Sequence, residues 1–217
     1  MKIPKVKICC ISSIEEAALA VRAGASALGL VSAMPSGPGP ISEDLIAEII
    51  STVPSGITTF LLTSKQDAQS IIAQQRKTKP NTLQLVDAVS IDVYQALRSE
   101  LPGISIVQVI HIVGESSVAE ARSVAPYIDM LLLDSGNPKL AVKELGGTGR
   151  RHDWKVSKKI VESVDKPVFL AGGLTPGNVR EAIESVQPYG LDLCSGVRTN
   201  GLLDEWKLKQ FFQQVLQ

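Results

Sequence analysis

Two hydrophobic rhythms alternate along the chain. Short apolar runs rich in β-branched residues lie at positions 6–9, 27–31, 57–62, 82–86, 104–110, 128–133, 167–171 and 191–194. Each is followed by a longer stretch with apolar residues at helical spacing, at 14–23, 42–52, 66–77, 90–99, 117–125, 154–163, 176–185 and 203–216. The first rhythm suits strands buried on both faces, and the second suits helices with one apolar stripe. The punctuation agrees. Ser42 precedes Glu43 and Asp44 as a helix N-cap would. Pro176 takes an expected first helical position, and Gly24 closes a helix as glycine commonly does. Eight strand–helix pairs on 217 residues, roughly 27 residues each, predict a single (β/α)8 barrel (a TIM barrel) at the small end of its size range. A doubly wound sheet is the rival. Its nucleotide-binding versions carry a glycine-rich turn after the first strand, whereas here that strand ends Ile8-Cys9-Cys10-Ile11. No linker, low-complexity tract or charge block divides the chain, so residues 1–217 read as one domain.

Composition narrows the class. Aromatic residues are only 4%, so the core must be built from aliphatic side chains. Lys plus Arg and Asp plus Glu both total 22, a balance that argues against nucleic acid as a partner. No apolar run reaches the roughly 18 residues of a membrane span, and no signal-peptide core follows the first residues. Three cysteines, two of them adjacent, form no disulfide framework and suit a reducing compartment. The expected location is the cytoplasm.

In a barrel of this kind the site is built by the loops after each strand. The strand ends therefore nominate the chemistry. Strand seven leads into Ala171-Gly172-Gly173-Leu174 and strand eight into Cys194-Ser195-Gly196-Val197. Each glycine taken singly reads as a tight turn. Two such turns after neighbouring strands read together as a phosphate cradle, because backbone amides without Cβ groups can close on an anion. Cys9 ends strand one, either as a small buried hydrophobe or as a base or nucleophile facing the mouth. Asp134 follows Leu131-Leu132-Leu133, where a carboxylate either caps the next turn or points into a site. Together the two would make an acid–base pair on different strands. His111 and His152 have no metal-ligand spacing and read as packing or surface residues. Gly146-Gly147-Thr148-Gly149-Arg150-Arg151 lies in the longest loop, 134–153. It lacks a P-loop ending, though its arginines could reach an anionic ligand.

Taken in order, these segments resemble the phosphoribosylanthranilate isomerase family over nearly the whole chain. The carrying residues are Val6-Lys7-Ile8-Cys9, Gly24 to Leu30, Gln84-Leu85, Leu133-Asp134-Ser135, Gly146 to Gly149 with Asp153-Trp154, Ala171 to Leu174 with Pro176 and Asn178-Val179, and Asp192 to Val197. The resemblance implies a barrel that uses no cofactor or metal. It implies an Amadori rearrangement of an N-linked 5-phosphoribosyl amine to a 1-amino-1-deoxyribulose 5-phosphate. It makes Cys9 the general base at sugar carbon 2 and Asp134 the general acid at the ring oxygen. Gly172, Gly173, Ser195 and Gly196 would hold the phosphate. Lys7, Gln84, Gly147, Thr148, Gly149 and Arg150 would line the substrate site. The partner would be a small phosphosugar, and the enzyme a monomer or a homodimer. Several positions depart from the family pattern: Gly39 stands where an arginine is usual, Val86-Asp87 where His-Gly is usual, Cys10 for glycine, Arg198 for glutamate and Leu203 for lysine. The residues around the amine part have changed, while the acid–base pair and the phosphate end are kept, so the resemblance implies the isomerase of N-(5-phosphoribosyl)anthranilate in tryptophan biosynthesis, with a paralogue for another N-(5-phosphoribosyl) amine or a non-catalytic phosphosugar-binding barrel as the alternatives.

Overall fold

The computed structural model describes residues 3–137, 139–146 and 149–217. Its strands are β1 (Lys5–Ile8), β2 (Ala27–Val31), β3 (Thr58–Thr63), β4 (Thr82–Leu85), β5 (Ser105–His111), β6 (Met130–Asp134), β7 (Val168–Leu170) and β8 (Gly190–Leu193), closed into a barrel in that order with β8 beside β1. Every barrel pairing is parallel. The helices are α1 (Ile14–Ala23), α2 (Glu43–Thr52), α3 (Ala68–Thr78), α4 (Ile91–Glu100), α5 (Ser116–Val124), α6 (Trp154–Ser163), α7 (Val179–Val186) and α8 (Glu205–Val215). The expected (β/α)8 architecture is present. None of these helices is long and apolar enough to cross a membrane.

Local chemistry starts and stops the helices. Ser13, Ser42, Asp67, Asp153 and Asp204 each accept a first-turn amide at the N-cap, and Gly24 closes α1 at φ +114°. Three boundaries differ from expectation. Pro176 lies in a turn ahead of α7: the Thr175 amide donates to Asn178 Oδ1, and the helix begins only at Val179. Asp67 caps α3, so Gln66 stays outside it. Leu203 is not helical. Leu202–Leu203 forms a short strand, β10, antiparallel to β9 (Arg198–Thr199), and Asp204 caps α8 behind it.

Leu and Ile side chains on the outer face of the strands, such as Leu28, Leu61, Ile110 and Leu191, meet apolar helix residues such as Ile46, Leu97, Ile160 and Phe211, all fully buried. A second cluster fills the barrel interior, with Phe60 and Phe169 edge to face at 5.8 Å between centroids. The strands are thus buried on both faces, which explains their continuous apolar runs.

Candidate active site

The carboxyl ends of the strands surround a cleft of about 690 Å³, part of it open to solvent. Of the residues nominated from the sequence, Cys9, Gln84, Asp134, Gly149, Gly172, Gly173 and Ser195 line it. Lys7 lies beneath its floor with no exposed surface. Gly196 sits behind the wall, where a Cβ would overlap the Leu174 carbonyl. Arg150 is exposed and ion-paired with Glu144. Gly147 and Thr148 fall outside the described residues.

Lys7 is the chemical centre of the floor. Its register partner on β8 is Asp192, and Lys7 Nζ lies 2.9 Å from Asp192 Oδ1 in a buried ion pair. Burial alone would discharge both groups. It works against the Lys7 ammonium, but Asp192, Cys9 and Cys10 together hold the Lys7 pKa above its ordinary value. Burial pushes the Asp192 carboxyl up despite Lys7. Gly29 makes the arrangement possible. A Cβ there would lie 2.8 Å from Cys9 Sγ and 2.9 Å from Lys7 Nζ, so the missing side chain is the space that both occupy. The ammonium also stands 5.1 Å from the Phe60 ring centroid.

Cys9 and Cys10 follow β1, and Cys194 follows β8. All three thiols are free. The register Ile8 with Leu193 brings the two strand ends side by side. The Cys10 thiol stands between those of Cys9 and Cys194 and donates to the Pro38 carbonyl at 3.6 Å. Its two neighbouring thiols and burial push the Cys10 thiol up, so it stays protonated. The neighbouring Cys10 thiol pulls the Cys194 thiol below its ordinary value against burial, with help from Arg198. Cys10 adopts φ +60°, the left-handed region that favours glycine. That accounts for glycine being usual there.

Arg198, another departure, supports this corner. It donates to Glu16 at 2.7 Å, to the Cys10 carbonyl at 2.6 Å and to the Gly201 carbonyl at 2.9 Å. Glu16 also accepts from Ser12 and from the Leu203 amide. Arg198 therefore faces away from the cleft, and its charge is matched by Glu16.

Asp134 ends β6. The Ser135 amide donates to its Oδ1 at 2.7 Å, and its Oδ2 lies so close to Gly146 that a Cβ there would overlap it. The long loop thus folds back over the acid. Further along it, His152 is wedged against Gly172 with Nε2 2.7 Å from Ser157 Oγ. Burial drops the His152 pKa to about 4, outweighing the attraction of Asp134 and Asp153. His152 is a neutral packing residue of the loop, as its sequence context suggested. His111 likewise packs inside, with Nε2 2.9 Å from the Val86 carbonyl. Arg151 lies over the Trp154 ring, 3.4 Å from its centroid, and pairs with Glu181 outside the cleft.

The rim after β7 and β8 is backbone without Cβ groups. Gly172 and Gly173 have φ +81° and +65°, and Asn178 Nδ2 donates to the Gly173 carbonyl at 2.9 Å. A Cβ on Gly149 would stand 3.4 Å from Ser195 Oγ, which brings the loop, β7 and β8 together at one spot. Such a rim can present amides and a hydroxyl to an anion. Across the mouth the wall is apolar, formed by Val31, Met34, Leu62, Val86 and Leu145. Gly39 lies beyond it at φ +83°, where a Cβ would come within 2.6 Å of Cys10 Cβ. No side chain fits at the position where an arginine is usual.

Sequence reasoning left the ion pairs behind the site unseen, Arg198 with Glu16 among them. Lys7 with Asp192 had a trace, a charge between apolar neighbours in each of two strands. Lys143 with Asp87, an ion pair between the long loop and the end of β4, had none.

Comparisons with known proteins agree with this geometry. Residues 6–214 match the family model described as N-(5'-phosphoribosyl)anthranilate (PRA) isomerase. The chain is 36% identical over 213 residues to N-(5'-phosphoribosyl)anthranilate isomerase 2 of Methanosarcina mazei, covering 97% of this chain and 93% of that one. It is 36% identical over 198 residues to the Haloferax volcanii N-(5'-phosphoribosyl)anthranilate isomerase, covering 91% and 86%. Among solved structures, the phosphoribosyl anthranilate isomerase of Thermococcus kodakaraensis superposes with a TM-score of 0.81 at 28% identity, covering 98% of this chain and 99% of that one. That of Thermus thermophilus gives 0.82 at 25% identity, covering 98% of both.

Proposed function

The chain belongs to the N-(5'-phosphoribosyl)anthranilate isomerase family, and on that footing we propose that Cys9 and Asp134 are the base and the acid of its Amadori rearrangement. The chain is an aldose–ketose-type isomerase that turns N-(5'-phosphoribosyl)anthranilate into 1-(2-carboxyphenylamino)-1-deoxyribulose 5-phosphate in tryptophan biosynthesis. The observation that carries the assignment of roles is that Cys9 from β1 and Asp134 from β6 line one cleft, with Cβ-free backbone on one rim and an apolar wall on the other.

Asp134 gives its proton to the furanose oxygen. The bond from carbon 1 to that oxygen breaks, and the nitrogen lone pair completes an iminium. The Cys9 thiolate then takes the proton from carbon 2, and the freed electron pair forms the enolamine. Proton return to carbon 1 and loss of the hydroxyl proton at carbon 2 leave the ketone. General acid–base steps of this kind need the two groups on separate elements, each within reach of its own proton. Gly172, Gly173 and Ser195 hold the phosphate, with Gly149 completing the cradle and Gly196 letting the β8 turn pack against Leu174 behind it. Gln84 contributes a polar group from β4 to the cleft that Cys9 also lines, and Lys7 supplies positive charge below it. The apolar wall takes the aromatic ring and excludes water. The cytoplasm is the location we propose for it, a reading that three free thiols support, since they suit a reducing compartment.

The test is direct. Purified protein is incubated with freshly prepared N-(5'-phosphoribosyl)anthranilate, and the carboxyphenylamino-deoxyribulose phosphate is followed. Turnover is expected. Absence of turnover with phosphosugar binding intact would show that the site serves another phosphoribosyl amine.

A further inference from the structure

The substrate carries a charge that the cleft wall does not answer. Its aromatic ring bears a carboxylate. With the phosphate at the β7–β8 rim and the sugar between Cys9 and Asp134, the ring lies toward β2 to β4. That wall is Val31, Met34, Leu62 and Val86. Among the described residues that line the cleft there is no Arg or Lys. A carboxylate brought from water to an apolar wall without a partner is strongly disfavoured. The arginines outside the wall stand away from its β2–β4 side: Arg198 meets Glu16 behind Cys10, Arg151 lies over Trp154 beside Glu181, and the Arg150 backbone packs against Gly172 and Gly173.

Lys143 is placed differently. It comes from the β6–α6 loop, which crosses the mouth. Its carbonyl accepts a hydrogen bond from Ser36, a residue of the cleft wall after β2. Its ammonium pairs with Asp87, the residue next to Val86 at the end of β4. The Asp87 carboxylate is buried and is held in turn by the Ala88 amide at 3.0 Å. Asp87 therefore anchors the ammonium at the rim of the apolar wall. An ammonium has three donors, and Asp87 uses one.

We propose that Lys143, positioned by Asp87 and Ser36, binds the aryl carboxylate of the substrate and sets the preference for an acidic aromatic amine. This rests on the isomerase reading above and adds the residue that recognises the amine part. The two departures at this rim belong together: Gly39 leaves no side chain on the β2 side, and Asp87 holds a lysine delivered from the opposite loop. Lys143 is partly exposed and Asp87 keeps its Ala88 amide when Lys143 is replaced, and a melting curve run beside the kinetics separates any loss of stability from the change in KM.

The experiment compares wild type, Lys143→Met and Lys143→Arg on two substrates, N-(5'-phosphoribosyl)anthranilate and N-(5'-phosphoribosyl)aniline, which lacks the carboxylate. Loss of a charge-assisted contact predicts that Lys143→Met raises KM for the anthranilate substrate by about 10- to 100-fold with a smaller change in kcat. Lys143→Arg restores most of it, and KM for the aniline substrate stays the same in all three proteins. An unchanged KM for the anthranilate substrate in Lys143→Met overturns the proposal. So does an equal rise for both substrates, which would mark Lys143 as a loop brace only. A wild-type protein that binds phosphosugar but turns over neither substrate shows that the site serves another phosphoribosyl amine, and the role of Lys143 falls with the anthranilate reading.

Discussion

Arg198 Nη1 lies 2.7 Å from Glu16 Oε1 and joins the turn after β8 to helix α1, with both side chains almost fully buried. The same guanidinium reaches the Cys10 carbonyl. The pair therefore ties the backbone that carries Cys9 to the backbone that carries Ser195.

Removing one member of a buried ion pair strands the other charge. Arg198→Ala is expected to destabilise the protein by about 3–5 kcal/mol. Urea unfolding measures this, and Glu16→Gln in the same background should recover part of the loss. A change under about 1 kcal/mol would mean that the pair is solvated in solution.

Lys7 and Asp192 make a second such pair, buried in the barrel itself. Lys7→Met should cost about 3–5 kcal/mol at neutral pH, because Asp192 must then be buried unpaired or protonated. The double variant Lys7→Met with Asp192→Asn should be more stable than Lys7→Met alone. Additive losses in that cycle would show that the two residues act independently.

Cys9→Ser and Asp134→Asn address the chemistry. Each should lower kcat by about 10²- to 10⁴-fold, the usual contribution of a positioned acid or base. Thermal midpoints should move little, since both changes conserve volume. Steady-state kinetics beside a melting curve separates the two effects. Full activity in either variant would remove that residue from the mechanism.

His152 makes stability depend on pH. Its pKa falls from 6.5 to about 4 on folding because burial disfavours the imidazolium. The unfolded chain therefore binds the proton first as pH drops. The contribution is complete above pH 6.5 and is lost progressively down to about pH 4, amounting to about 3 kcal/mol. Urea midpoints between pH 7 and 4 should fall less steeply in His152→Asn than in wild type. Parallel curves would show that other groups control the acid limb.

The alternation of strands and helices was legible along the chain because burial on two faces and burial on one stripe leave different local periods. The strand ends were legible for the same reason, and with them Cys9, Asp134 and the glycines after β7 and β8. Pro176 misled because a proline suits a turn as well as a first helical turn, and only the Asn178 side chain decides which forms. The residues that shape the site from behind were decided by tertiary structure. Glu16 and Arg198 are 182 positions apart, and Asp87 and Lys143 are 56 apart. Closure of the barrel sets β1 beside β8 and so puts Lys7 opposite Asp192. Partnerships of this kind depend on strand register and on the path of a loop across the mouth. Neither leaves a period in the sequence, because each is fixed by which surfaces meet when the whole barrel closes.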